Sequence, residues 1–354
     1  MTMRIGILTA TRTDNNGTDL QALAMLMMFN RLGATNVELI DYICEKLDSS
    51  KHLLSPLSLR KIAYYPLCKV LHHKHDRFRE HNFVRSKCRF NKTNLRASNY
   101  DIIVAGSDQI WNLSITDGDL SFFLPFDKQG FKKYSYAASL GRTDLSAWEN
   151  KFKISSLLSD FQGVSVREES AVSALFEIGI KARHDLDPIL MSDATDWQKF
   201  IAPKQESEKY VLFYLLDSNC QAWEDAKLLA KKNGWRVINV SPALKIYRDI
   251  KTIRCAGIEE WLYYVANAEM IYTSSYHCLS FAILFNKPFC LVPLENAVQS
   301  NERMLDLVNR LGLSSRVYSP NSECSETIEW DVVNKTIKTF RLSSEKYVKK
   351  IIAQ

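Results

Sequence analysis

The stretch from Met270 to Phe289 sets the tightest limit on how this chain can fold. Met270-Ile271-Tyr272-Thr273 reads as a short strand that breaks at Ser274-Ser275. From there the apolar residues change period: Leu279, Phe281, Ala282 and Leu284 line one buried side of a helix. Ser274 or Ser275 is placed to cap that helix, with a side-chain oxygen for the first free amides. Lys287-Pro288 ends it, and Phe289 to Pro293 begins another strand. Strand, turn, helix, strand is the building unit of an α/β sheet. A helix N-terminus presents unpaired N–H groups and the positive end of a dipole, so the turn suits a phosphate or a carboxylate. His277 lies in the first helical turn, where an imidazole is biased toward its neutral form and can accept or relay a proton. A core histidine bonded to a backbone carbonyl satisfies the same stretch.

The unit recurs from the start of the chain. Arg4 to Thr9 is a buried strand, Asp14-Asn15-Asn16-Gly17-Thr18 a turn-rich loop, Asp19 to Leu32 a helix closed by Gly33, and Val37 to Tyr42 the next strand. This is the opening of a doubly wound sheet, in which ligands bind beyond the carboxyl ends of the strands. The glycines do not follow G-x-G-x-x-G, so the dinucleotide fingerprint is absent. Asp101 to Gly106 is the clearest buried strand and delivers Ser107 and Asp108 at its end. Tyr134 to Gly141 repeats the scheme and ends in small residues around Ser139. Ser146 to Ser159 reads as a helix. Gly163 to Ser170 is a strand turning into a helix with Arg167 at the turn, where a guanidinium can clamp an anion or pair with Glu168, Glu169 or Asp187. His184 to Pro188 closes this half.

Residues 44–98 break the pattern. Eleven Lys or Arg stand between Arg60 and Arg96 against Asp76 and Glu80 alone, with His72, His73, His75 and His81 among them. Interleaved apolar residues make this a basic amphipathic helical insertion, either a solvated face or a surface for an anionic membrane. No carboxylate or thiol stands at metal-ligand spacing from these histidines, so no metal is expected. No recognition motif supports nucleic acid as the partner of the basic patch.

Residues 190–208 read as a polar hinge. A second α/β unit follows: strand Tyr210–Leu216, helix Cys220–Asn233, strand Trp235–Val240, helix Gly257–Val265, the stretch at Met270, and a helix Asn301–Leu311 carrying Arg303. The expected division is residues 1–190, 205–325, and one or two helices over 326–354. Two such halves joined by a hinge predict a cleft between them. A chain of 354 residues that is 46% hydrophobic and 24% charged has room for two cores, and no apolar run is long enough to span a membrane. Residues 1–10 lack a signal pattern, and the eight cysteines are scattered without a CxxC pair, which fits reduced thiols in the cytoplasm.

Taken together, Asn15 to Ala22, Gly106 to Asn112, Tyr136 to Gly141, Ser165 to Ser170, Asp187-Pro188, and Ser275-Tyr276-His277 followed by Phe285 to Phe289 resemble, in that order, the polysaccharide pyruvyltransferase family. The resemblance covers roughly Arg4 to Leu313. It implies a GT-B-like α/β fold of two Rossmann-type domains facing each other across a cleft. It also implies transfer of a pyruvyl group from phosphoenolpyruvate to sugar hydroxyls, usually as a ketal. Asp108, Arg167 and His277 match the family's catalytic positions. Binding is expected at Asn15, Gly17, Thr18, Ser107, Ser139, Ser274 and Ser275. Many members have Arg-Leu-His where this chain has Ser275-Tyr276-His277, and an aromatic at Asn16; Arg303 is the candidate to replace the missing arginine.

The chemistry suits these residue types. Protonation of the enol ether at its methylene carbon creates an oxocarbenium-like centre that one hydroxyl attacks; phosphate leaves and a second hydroxyl closes the ketal. His277 and Asp108 are the candidate acid and base, Arg167 and the helix start at Ser274-Ser275 the anion binders. The scheme needs no cofactor beyond phosphoenolpyruvate as donor substrate. The acceptor is a sugar or a lipid-linked glycan, which would place the protein in the cytoplasm or at the inner membrane face. The alternatives are a GT-B glycosyltransferase using a nucleotide sugar, and a silent carbohydrate-binding relative.

Overall fold

The structure, a computed structural model, describes residues 3–50, 59–95, 99–126, 130–141, 151–217, 220–240, 250–295, 298–320, 324 and 327–354. Five parallel strands form the first sheet: β1 (Ile5–Leu8), β2 (Val37–Tyr42), β3 (Arg85–Phe90), β4 (Ile102–Gly106) and β5 (Lys132–Tyr136), in the order β3-β2-β1-β4-β5. β6 (Val164–Val166) and β7 (Ala182–His184) extend it through parallel bridges from Tyr134 to Gly163 and from Ala138 to Val166. The second sheet holds β8 (Tyr210–Tyr214), β9 (Arg236–Val240), β10 (Lys251–Ile253), β11 (Met270–Thr273) and β12 (Phe289–Leu291), in the order β10-β9-β8-β11-β12. The halves share one winding. Each begins at a central strand, runs outward to one side, then returns to the other. The order therefore reverses between β1 and β4 and again between β8 and β11, and each reversal opens a crevice at the strand ends. Every residue of these four strands is buried, as continuous apolar runs covered on both faces require.

The principal helices are α1 (Asn16–Arg31), α2 (Leu59–Asn82), α3 (Lys151–Ser159), α4 (Glu169–Glu177), α5 (Cys220–Asn233), α6 (Ile258–Asn267), α7 (Tyr276–Leu284), α8 (Glu302–Arg310) and α9 (Trp330–Ile352). The first residues of the helix read over Ser146–Ser159 lie outside the described residues, as do Arg96 and the side chains of Arg60 and Lys61. The halves meet along α1 and α7. Thirteen residues of α1 and all nine of α7 are buried, in a core that also takes in Trp197 and Met191. Of residues 190–208, read as a polar hinge, the first part to Phe200 is therefore packed, while Pro203 to Gln205 and Ser207-Glu208 are exposed. Trp197 is fully buried, with its ring 4.9 Å from Phe281 in edge contact. Apolar residues at Ile189, Leu190, Met191, Trp197 and Phe200 make the start of this linker part of the interdomain core.

The basic insertion expected over residues 44–98 is also something else. Its helix, α2, is the crossover that leads into the edge strand β3, so the segment belongs to the sheet. Its charges pair inward. Lys74 Nζ donates to Glu260 Oε2 at 2.6 Å and to the Cys255 carbonyl at 2.9 Å, and Arg77 lies 3.6 Å from Glu259. Arg79 pairs with Asp14, Asp19 and Asp76, and Lys69 lies over the Tyr65 ring. α2 thus ties α1 of the first domain to α6 of the second. The C-terminal segment is one long helix among the described residues, and it returns to the first domain. Ser344 Oγ donates to Asp185 at 2.7 Å, Tyr347 to the Ser135 carbonyl at 3.0 Å, and Arg341 pairs with Asp193. Cys290 and Cys324 are joined as a disulfide, against the expectation of reduced thiols throughout; β12 and the segment after α8 bring their Cα atoms to 5.8 Å.

Candidate active site

The loops that leave β1, β4, β8 and β11 at the two switch points face one another. Between them lies a cavity of about 210 Å³. The first domain lines it with Asn15, Asn16, Thr18, Asp108 and Gln109, the second with Tyr214, Ser275, Tyr276, His277 and Arg303, and α2 with His75.

Two helix N-termini meet here. Asn15 caps α1, its side-chain oxygen accepting from the amides of Gly17 at 2.9 Å and Thr18 at 3.3 Å. Ser275 caps α7 by accepting from the Cys278 amide at 3.5 Å. Gly17 packs directly on His277: a Cβ built on this glycine would fall 2.6 Å from the histidine Cβ and closer still to its ring. Only the absence of a side chain lets the two helix starts approach so closely.

Asp108 stands at the end of β4 with positive φ, 64°, following Ser107 at 30°. This strained corner carries the carboxylate out of the sheet. Thr18 Oγ1 donates to it at 2.7 Å, as does the Gln109 amide at 2.8 Å. Burial raises its pKa, but His277, Arg167 and these two donors outweigh burial and hold the group below the ordinary carboxylate value. His277 moves down as well. Burial disfavours its charge, and Arg167 and Arg303 add to that, against the pull of Asp108 and Asp187. His277 Nε2 is buried without a partner among the described residues.

Arg303 is a buried cation of the cavity wall, which Arg254 also lines. Burial and the neighbouring Arg167 lower its pKa to about 10, which leaves it charged at neutral pH. With the Gln109 amide turned so that its oxygen faces the guanidinium, that oxygen accepts from both terminal nitrogens, at 2.6 and 3.3 Å. Arg303 Nε has no partner among the described residues.

Arg167 sits one layer behind. Its Nη1 donates to Asp187 at 2.9 Å, its Nε faces Glu168 at 3.4 Å, and its guanidinium stacks on the Tyr276 ring at 4.0 Å. The ion pair that the same residues also allowed is present, and Arg167 Nη2 is left without a partner among the described residues. Tyr276, not the arginine, reaches the cavity wall. Ser107 donates to Asp187 at 3.2 Å, and Ser139 to Glu168 at 2.5 Å, so both support this buried network. Ser274 accepts from the Leu216 amide at 2.8 Å and shapes the end of β8. These three serines, expected at the site, stand behind it. Cys278 is fully buried and its thiol is pushed up to about 12, which suits a packed side chain and not a nucleophile. Among the described residues, no group of three His, Cys, Asp or Glu is placed to hold a metal ion.

The model of the polysaccharide pyruvyl transferase family matches residues 15–296. The chain belongs to this family. The matched span contains Asn15 to His277 of the cavity wall, and Arg303 lies beyond it. No curated relative matches the sequence. Among solved structures, the chain is similar to the UDP-GlcNAc 2-epimerase of Methanocaldococcus jannaschii in complex with UDP-GlcNAc and UDP. That likeness has a TM-score of 0.53 at 14% identity and covers 99% of this chain and 100% of that one. It is similar also to the UDP-GlcNAc 2-epimerase of Neisseria meningitidis bound to UDP-GlcNAc, with a TM-score of 0.51 at 12% identity over 99% of this chain and 94% of that one. At such identities the likeness shows the fold alone, and that fold is GT-B-like.

Sequence reading did not find His75, Gln109 or Tyr214 at the site. His75 was one of several histidines in a basic run, and its partner Asp19 lies 56 positions away.

Proposed function

We propose that this family member transfers the pyruvyl group of phosphoenolpyruvate to hydroxyls of a glycan or glycan precursor, closing a ketal across two of them. The observation that carries the reading is a set of buried polar atoms without partners among the described residues. Asn16 Oδ1, His75 Nε2, His277 Nε2 and Arg303 Nε all belong to residues lining one cavity. Each such atom costs about 1–3 kcal/mol unless something satisfies it. An anion with an adjoining sugar hydroxyl has the complementary donors and acceptors.

The donor carries a carboxylate and a phosphate. Arg303 and the N-termini of α1 and α7 are the groups to receive them. His277, neutral at physiological pH, exchanges protons with the substrate. Asp108, ionised, offsets positive charge at the oxocarbenium-like carbon or orients an attacking hydroxyl. Arg167 supports this machinery by holding Tyr276 and Asp187 in place. The cavity volume, about 210 Å³, lies below the roughly 300–1,000 Å³ typical of drug-sized pockets and suits a compact three-carbon donor better than a nucleotide sugar.

The family supports a sugar or glycan as acceptor, and a lipid-linked glycan is the form we propose beside a free sugar. No helix among the described residues is long and apolar enough to cross a membrane. We place the reaction in the cytoplasm, where the donor is made. Docking of α2 on an anionic membrane is not part of this reading, because Lys74, Arg77 and Arg79 are ion-paired within the fold. The test is incubation with phosphoenolpyruvate and a panel of nucleotide-linked and lipid-linked sugars, with phosphate release and product mass as readouts. Phosphate release with a pyruvylated product supports the reading. Nucleotide release from a sugar nucleotide would show a glycosyltransferase instead, and binding without turnover a silent relative.

A further inference from the structure

We infer that His75, oriented by Asp19, is a second acid–base residue of this cavity, presented to the acceptor hydroxyl from α2; this rests on the pyruvyl-transfer reading above. His75 is fully buried, yet it is one of the residues that line the cavity. Its Nδ1 lies 2.7 Å from Asp19 Oδ2, and Asp19, in the first turn of α1, is itself fully buried. The other carboxylate oxygen of Asp19 accepts from Arg79 Nε at 2.9 Å. A carboxylate can only accept, so the facing ring nitrogen carries the hydrogen, and in the neutral ring Nε2 keeps the lone pair. Nε2 is buried and has no partner among the described residues. A histidine serving only the core would have both ring nitrogens satisfied. Here one nitrogen is locked by a buried carboxylate, and the other is left without a partner among the described residues, on a residue that lines the cavity. That is the arrangement in which a carboxylate fixes an imidazole's tautomer and balances the charge it gains when the far nitrogen takes a proton.

The reaction gives such a group work. Each acceptor oxygen forms a bond to C2 of the donor and loses its proton. The C2–O bond to phosphate breaks, its electron pair leaving with the phosphate oxygen. The C2=C3 electron pair takes up a proton at C3. Two protons thus leave hydroxyls; one equals the proton gained at C3 and the other departs with phosphate. Asp108, held below the ordinary carboxylate value, is a weak proton carrier near neutrality. His277 is one station, and His75 Nε2 supplies the second by taking a hydroxyl proton and passing it to the departing phosphate.

The experiment uses the full-length chain labelled with ¹⁵N-histidine, the seven histidines being few enough to assign through the backbone. The probe is phosphoenolpyruvate alone. The expected result is an Nδ1–H tautomer for His75 and a ligand-induced shift at Nε2 of both His75 and His277. Movement of His277 without His75 overturns this inference and leaves the transfer reading in place. No movement of either at saturating phosphoenolpyruvate overturns the transfer reading itself. This arm needs no variant, so it decides even where a substitution unfolds the protein. In turnover, His75→Gln is expected to lower kcat by about 10²–10⁴ while KM for phosphoenolpyruvate stays within about threefold, and Asp19→Asn to act in the same direction. A folded His75→Gln protein with unaltered kcat, or one in which KM alone rises, shows a packing or binding histidine and ends the proposal.

Discussion

At the residue scale, the contact between Gly17 and His277 is among the tightest made by a described glycine. It joins the first turn of α1 to the first turn of α7, so one methyl group there presses on the imidazole and on the domain interface at once. Gly17→Ala is expected to cost about 1–3 kcal/mol through overpacking and to remove turnover by displacing the ring. Urea denaturation read beside activity checks this, and an active, fully stable variant would show that the helix starts are free to part. His277 also leaves a mark on pH dependence. Its folded pKa is lowered by burial, so between that value and about 6.5 the unfolded chain binds more protons than the folded one. Its contribution to stability is complete above about pH 6.5 and is lost as pH falls below it. Wild type should therefore lose melting temperature from pH 8 to pH 5.5 more steeply than His277→Gln. His184, raised mainly because its bonds to Asp306 and Glu169 outweigh its burial, works in the opposite direction. It is present in both proteins and cancels in the comparison. Equal slopes would mean that the imidazole is not held neutral.

At the element scale, α2 separates what sequence can disclose from what it cannot. The strand–turn–helix units were legible because period and turn chemistry are local: β2 and α5 begin and end where the pattern put them. Asp108, His277 and Arg303 were legible as candidates because each stands at a strand end or a helix start, and all three line the same cavity. The function of α2 was not, because a run of cations says nothing of its partners. Those partners, Asp14, Asp19, Glu259 and Glu260, come from both domains. The same limit explains Arg167: both a clamp and an ion pair fitted its neighbours, and the structure shows the pair with Asp187, which packs beside Ser107. Arg79 is the residue on which the element depends. Its side chain is 3% exposed against a wholly buried Asp19. Arg79→Met should destabilise the protein by about 3–5 kcal/mol, because it strands the carboxylate that orients His75. Chemical denaturation measures this, and a loss below about 1 kcal/mol would mean that solvent reaches the pair.

At the scale of the whole molecule, the cavity has no owner among the domains. The N-terminus of α1 and Asp108 belong to the first, Arg303 and the N-terminus of α7 to the second, and α2 bridges them. An anion bound there touches both halves, so its binding energy adds to the cohesion of the interface that Trp197 and Phe281 already hold. A ligand that binds only the folded state stabilises it by about 2.7 kcal/mol at a hundred times its dissociation constant. Phosphoenolpyruvate should therefore raise the melting temperature, and inorganic phosphate should do so to a smaller extent because it lacks the carboxylate. Arg303 lines the cavity with an Nε that has no partner among the described residues, whereas Arg167, although its Nη2 is also without one, is engaged by Asp187 behind the cavity wall. Arg303→Gln should abolish most of the phosphoenolpyruvate-induced shift while leaving the unliganded protein near its original melting temperature, since no carboxylate partner among the described residues is left behind. Arg167→Gln should do the reverse, lowering the unliganded melting temperature by exposing Asp187 and Glu168 to an unbalanced buried site. Thermal melts of the three proteins with and without ligand separate the two roles. If Arg167→Gln kept its stability and lost the ligand response, the stacked arginine would be the donor clamp after all.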